Sequence, residues 1–253
     1  MTTVGKSVNR VMINDTARIP MPRLLFEECS SAELATVLPG RLKRRENDAG
    51  EILVKADFQE DDIVRALRAP FRGGIQLSAD GESRLGEYFL AHVRDGGIGL
   101  SLCTGAAYDA DVAGPFVQAL WRLAAAGPAD EAICLAVHEA LANALVHGNL
   151  EVPRLDEDLD AFLGHCQLLE DAKSDPARWG RRIEISGIGK GGDVEVAIQD
   201  QGLGYQVHGP ATGKAGHRLH GLELINACTS NVRVEDGGRC LVLVFATQRS
   251  DES

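Results

Sequence analysis

Between residues 131 and 198 the apolar period of the chain changes from helical to alternating, and this change limits the folds open to it. In the run EAICLAVHEALANALVHGN, Glu131 to Asn149, Ile133, Ala136, Val137, Ala140, Ala144 and Leu145 recur at the spacing of one face of a helix with about 3.6 residues per turn. In RRIEISGIG and DVEVAIQD, by contrast, Ile183, Ile185, Val194, Val196 and Ile198 alternate with polar or small residues, separated by the turn formers Lys190, Gly191 and Gly192. This is the pattern of a β-hairpin. A glycine-rich stretch, a helical segment LELINACTS and a second hairpin, NVRVEDGG with RCLVLVF, complete the chain. Helix, hairpin, helix, hairpin predicts an α/β fold in which helices form a layer on one face of a mixed β-sheet, a two-layer sandwich.

Ahead of this half, short strand-like and helix-like segments alternate from Arg23: RLLFEE, SAELATVLPGRLKR, EILVKA, DDIVRALRAP, GIQLSA and SRLGEYFLAHV. They predict a small N-terminal α/β module over residues 1–95, with residues 1–20 expected to fray. EILVKADFQEDDIVRAL resembles the last strand and helix of a bacterial receiver domain, with Lys55 at the strand end; the plainer reading is a module for contacts. Gly96 and Gly97 mark the boundary to a second domain, 96–253. It starts with a strand, GIGLSLC, and a helix near Gly114 to Ala126. Pro128, Asp130 and Glu131 suit the first turn of the next helix, and Gly148 with Asn149 suits its end. Residues 151–180 are acidic and weakly periodic, as expected of a solvated insertion with one short helix.

The chain has no apolar run near the roughly 20 residues that a membrane-spanning helix needs. Its net charge of −11 gives no long-range attraction to nucleic acid or to an anionic membrane. Cys29, Cys103, Cys134, Cys166, Cys228 and Cys240 are scattered, without CxxC pairs or zinc-finger spacing. With no signal-peptide pattern at the start, buried thiols in a reducing cytoplasm are expected.

Chemistry concentrates on the first helix, where Glu139, Asn143 and His147 stand four residues apart. His138-Glu139 is not a zinc HExxH motif, because Ala142 occupies the place of the second histidine. Asn143 instead offers a carbonyl oxygen to a hard cation such as magnesium, and Glu139 can polarise a nearby water or hydroxyl. After the strand VEVAIQ, Asp200 is followed by Gly202 and Gly204; a carboxylate accepts from an exocyclic amine such as that of adenine, and glycines let a flat ligand approach. Gly221 opens a helix behind Gly213, Lys214, Gly216, His217 and Arg218, an arrangement that favours an anion. A solvated helix face, a tight turn and a glycine-rich surface loop are the bland counterparts of these three patterns. Together they describe a pocket for a purine nucleotide with magnesium.

HEALANALVHGN resembles the N box of the GHKL (histidine-kinase-like) ATPases, DQGLG their G1 box and LHGLELI their G2 box. The combination is most similar to the anti-sigma-factor serine/threonine kinases and related ATP-binding regulators of bacterial partner switching, over roughly residues 96–248. The resemblance implies the two-layer GHKL (Bergerat) fold, ATP and magnesium as cofactors, and a lid at about Tyr205 to His220. It implies Glu139 as general base, Asn143 as magnesium ligand, Asp200 as the adenine-binding carboxylate, Gly202 and Gly204 as shapers of the adenine pocket, and Gly221 at the phosphates. His147 matches a position beside the nucleotide, and Lys214 and Gly216 belong to the expected nucleotide-binding loop. Two departures bear on phosphotransfer more than on binding: Leu219 stands where a glycine is usual, and Arg239 where a small hydroxylated residue is common.

The leading expectation is an ATP-dependent kinase that transfers the γ-phosphoryl group to a serine or threonine of an antagonist protein. Its partners would be that antagonist, a sigma factor or another regulator, and a homodimer is compatible with it. The alternative is a nucleotide-gated binding module without catalysis. A histidine-kinase catalytic fragment fits less well, since His92, the one histidine before residue 138, is followed by Val93 and Arg94 instead of a phosphoacceptor motif.

Overall fold

The structure, a computed structural model, describes residues 22–27, 50–77, 85–124, 131–153, 159–204 and 220–247. The expected fraying of residues 1–20, the helix read in SAELATVLPGRLKR, and Lys214, Gly216 and Leu219 lie outside these segments.

Strands β1 (Arg23–Phe26), β2 (Glu51–Lys55), β3 (Phe71–Gln76) and β4 (Ile98–Cys103) run parallel. β5 (Arg182–Lys190), β6 (Asp193–Gln199), β7 (Asn231–Glu235) and β8 (Cys240–Ala246) are joined antiparallel, in the order β1-β2-β3-β4-β5-β6-β8-β7. The fold is thus α/β on a mixed eight-stranded sheet. β4 pairs in parallel with β3 on one side and antiparallel with β5 on the other, so the strands before residue 96 and those after it form one continuous sheet. Both hairpins expected from the alternating period are present as β5–β6 and β7–β8.

Alternation along the strands assigns residues to the two faces. On one face, Leu53, Leu100, Leu102, Ile183, Ile185, Val196, Ile198 and Leu243 share a core with four helices. These are α1 (Glu60–Ala66), α4 (Ala113–Leu123), α5 (Glu131–Asn143) and α8 (His220–Cys228). α4 contributes Phe116, Val117, Leu120 and Trp121, whose ring meets Phe245 edge-on at 5.6 Å. α5 contributes Ala136, Val137 and Ala140, small side chains that let it lie close to the sheet and to α8. This is the expected helical layer.

The second face carries α2 (Glu87–Arg94), whose Phe89 and Val93 pack on Ile52, Val54 and Ile75. Beneath it runs a buried polar network. Arg182 Nη2 donates to Gln76 O at 2.6 Å and Nη1 to Ser101 Oγ at 3.0 Å, Ser101 Oγ donates to Glu184 Oε1 at 2.7 Å, and Gly86 N at the start of α2 donates to Glu184 Oε2 at 2.8 Å. These bonds tie β3, β4 and β5 together across residue 96. Burial raises the Glu184 carboxyl above its ordinary range, against the opposing pull of Ser101, Gly86 and Arg182.

Lys55 at the end of β2 is buried and paired with Asp62 at 2.8 Å, and Asp62 also accepts from Gln59 N at 3.0 Å to cap α1. Segment 151–180 differs from the single short helix expected. It contains α6 (Leu159–Lys173), of 15 residues, and α7 (Pro176–Trp179). The period is weak because α6 packs its apolar Leu169 and Ala172 against Leu150, Val152 and Trp179 while Phe162, Leu163 and Leu168 stay exposed. A further helix, α3 (Thr104–Tyr108), follows β4 directly. The cysteines are not uniformly buried either: Cys240 is, and its thiol is pushed up to about 12 mainly by burial, but Cys166 on α6 is exposed. No described helix is long and apolar enough to cross a membrane.

Candidate functional site

The helical run that begins at Glu131 does not end as an α-helix. From Ala144 to Asn149 it widens into a π-helical turn, in which Leu150 N donates to Leu145 O five residues back, at 2.9 Å. Such bulges shift every following side chain around the axis and recur at functional sites. Here the wider turn carries His147, Gly148 and Asn149 toward the end of β6. His147 Nδ1 lies 2.7 Å from Val152 O, and because a carbonyl can only accept, Nδ1 carries the proton.

Gly148 and the loop after β6 meet with no room for side chains. A Cβ on Gly148 would lie 2.5 Å from Asp200 Cγ, and one on Gly202 would lie 2.1 Å from Gly148 O. Gly204 has φ +85°, a left-handed conformation that suits glycine, and a Cβ there would meet Gly237 O at 2.3 Å. The Asp200 carboxylate accepts from Gly202 N at 2.8 Å, while Asp200 N donates to Arg239 O at 2.9 Å. Burial pushes the Asp200 carboxyl up to about 6, although the Gly202 N–H and the charges of Arg239 and Arg181 oppose the rise.

On the next turns of α5, Asn143 Nδ2 donates to Glu139 O at 2.8 Å and to Glu139 Oε1 at 3.1 Å. The same carboxylate lies against the first turn of α8, where a Cβ on Gly221 would come 2.0 Å from Glu139 Oε1. Glu139, Asn143 and Gly221 are therefore in one contact set, and Gly202 is packed on Gly148 beside Asp200. A cavity of about 300 Å³ opens between α5, β6, β8 and α8. Asn143, His147, Asp200 and Arg239 supply its polar wall, and Ile198, Leu222, Val234 and Leu241 much of its apolar wall. Of the residues singled out in the sequence, Asn143, His147, Asp200 and Gly204 line it directly.

Its size is at the small end for a ligand pocket and suits a planar base with its sugar. Among the described residues no group of three or more His, Cys, Asp and Glu is gathered for a metal. The single Asn143 oxygen fits an ion that takes its remaining ligands from phosphate and water. With Nδ2 turned to Glu139, Oδ1 is the Asn143 atom with the chemistry for that role.

Several residues of the site were not singled out. The sequence pattern marks Gly148 as a helix end, yet it forms the floor under Asp200, where the π-turn places it. Arg239 was noted as a departure; its guanidinium donates to Asp236 Oδ1 at 2.8 Å, so its charge is held at the cavity wall. Asn149, also read as a helix end, is fully buried and bonded to three segments. No family model and no curated protein sequence matches the chain.

Proposed function

We propose that this protein is an ATP-binding regulator with the GHKL fold, a kinase that phosphorylates a serine or threonine of a partner protein. The observation that carries this reading is the convergence of Asn143, His147, Asp200 and Gly204, from separate parts of the sequence, on one nucleoside-sized cavity. Asp200 stands at its end as a half-buried carboxylate, ionised at neutral pH, matched to an exocyclic amine. Glu139 and the start of α8 lie more than two helical turns back along the helical run from Gly148, the residue packed on Asp200, where the phosphates of a nucleotide seated on Asp200 would extend.

Magnesium, when bound, would neutralise phosphate charge, with Asn143 among its ligands. Glu139 would accept the proton of the partner's hydroxyl as its oxygen bonds to the γ-phosphorus and the bridging oxygen departs with ADP. The partner reading, an antagonist or a sigma factor, rests on the sequence resemblance.

A nucleotide-gated binder without catalysis is the second reading. It is favoured by the Glu139 carboxylate being bonded to Asn143 and seated on Gly221, and by Arg239 at the cavity wall. Titration of the protein with ATP and magnesium, wild type beside Asp200→Asn, tests the common premise. Saturable binding by the wild type and ATP binding weakened by about tenfold or more in the variant are expected; absence of wild-type binding, or equal binding by both, refutes it. Glu139→Ala then separates the readings, because a kinase loses phosphotransfer whereas a binder keeps its nucleotide-dependent partner.

A further inference from the structure

Asn149 is fully buried, and each of its side-chain atoms is committed. Nδ2 donates to Thr104 Oγ1 at 2.8 Å and to Arg182 O at 3.0 Å, and Oδ1 accepts from Gln201 N at 2.7 Å. Its main-chain oxygen accepts from Arg181 Nη1 at 2.6 Å. Thr104 begins α3 directly after β4 and Arg182 begins β5, so both stand at strand ends in the middle of the sheet, whereas Gln201 belongs to the turn that presents Asp200. One amide side chain therefore ties that turn to the frame.

The remaining ties of the turn are weaker determinants of where the Asp200 carboxylate points. Asp200 N donates to Arg239 O at 2.9 Å, which fixes the end of β6 but not the peptide beyond it. Gly202 N donates to Asp200 Oδ1 at 2.8 Å, an internal bond that moves with the turn. Gln201 Oε1 accepts from Arg182 N at 2.7 Å through a flexible, exposed side chain. Among the described residues, the Asn149–Gln201 bond alone holds the peptide after Asp200 through a buried, short and fully bonded group. The preceding residue, Gly148, closes the other side, since it leaves no space between its Cα and the carboxylate.

We propose that Asn149 is a positioning residue that sets the base selectivity of the cavity, by holding Asp200 where its carboxylate meets a ring amino group. The inference rests on the purine-nucleotide reading above. A displaced carboxylate would still bury the base against Ile198 and Leu241 but would no longer distinguish an amino-bearing purine from one without it. Stacking and apolar burial are insensitive to that group; a charge-assisted hydrogen bond is not.

The measurement is the ratio of affinities for ATP and for the triphosphate of purine riboside, which lacks the 6-amino group. Wild type should prefer ATP by about tenfold or more. Asn149→Ser, whose hydroxyl is too short to reach Gln201 N, should bring the ratio close to one while retaining binding of both nucleotides. Gln201→Ala, an exposed change that leaves the main-chain bond to Asn149 in place, should keep the wild-type ratio. A merely structural loss in Asn149→Ser lowers both affinities together and leaves the ratio unchanged, which overturns the proposal. So does collapse of the ratio in Gln201→Ala, a variant that tests the idea even where Asn149→Ser does not fold. Failure of the underlying reading looks different: wild type then binds neither nucleotide, or Asp200→Asn shows the wild-type ratio.

Discussion

Replacing Asp200 by asparagine should make the protein more stable at neutral pH while, on the proposed reading, weakening its binding of ATP. The Asp200 carboxyl is raised from an ordinary 3.8 to about 6, with burial as the leading cause. Each pKa unit corresponds to about 1.4 kcal/mol, so keeping this group ionised in the folded state costs about 3 kcal/mol at pH 7.5. The sign follows from proton counting. Between pH 4 and 6 the folded protein holds a proton on Asp200 that the unfolded chain has released, so stability falls as pH rises through this interval. Below the unfolded value both states are protonated and the penalty disappears. Asparagine keeps an Oδ1 for the Gly202 N–H at 2.8 Å and carries no charge to desolvate. Urea unfolding without nucleotide, at pH 7.5 and at about pH 4, measures the difference. The variant should exceed wild type by up to about 3 kcal/mol at the higher pH and approach it at the lower. A variant that is equal to or weaker than wild type at pH 7.5 would refute the argument that the site holds an incompletely compensated charge.

Four further outcomes are expected. Gly148→Ala places a methyl group against Asp200 Cγ and should lower ATP affinity on the order of tenfold with the fold retained, measured by calorimetric titration and circular dichroism. Glu139→Gln should reduce phosphotransfer by about two to four orders of magnitude in a radiolabelled ATP assay, with ATP still bound; unchanged transfer would remove Glu139 from the mechanism. Magnesium should tighten ATP binding in wild type and have little effect in Asn143→Ala, a comparison made by titration with and without a chelator. Phe116→Ala, which empties the centre of the core, should cost about 3–5 kcal/mol in urea unfolding without altering base selectivity.

The parts legible in the sequence are those whose period reports their own burial. β5 and β6 alternate cleanly because their apolar residues face the helical core on one side while the other side carries polar groups, buried under α2 in the case of Arg182, Glu184 and Ser186, and α5 shows its apolar stripe because one of its faces lies on the same core. The site residues on α5 and after β6 could be located from spacing and residue type. What the structure adds depends on contacts between distant segments, which no local period records. The π-turn at Ala144–Asn149 leaves the residue pattern of a helix intact, so its effect on Gly148 and Asn149 was hidden. Asn149 is a common helix-ending residue, and its partners Thr104, Arg182 and Gln201 lie 45, 33 and 52 residues away. α6 is longer than its period suggests because, among its described side chains, few apolar ones are packed inward, which leaves little amphipathic signal. The placement of α2 on the second face follows from Phe89 and Val93 finding Ile52 and Val54, a pairing of faces that alternation alone leaves undetermined.

The single sheet that crosses residue 96 has a consequence for any attempt to separate the two halves. Removal of the first 95 residues would strip β3 from β4, turning the buried strand Ile98–Cys103 into an exposed edge with unpaired N–H and C=O groups. Ile98, Leu100 and Leu102 would stand along it without Leu53, Phe58 and Ile63, which share their core. A long apolar edge of this kind invites pairing with the same edge of another molecule. The parallel strands thus act as a guard rail for the half that carries the candidate site, and the shortened protein is expected to self-associate through β4 instead of standing as a free domain.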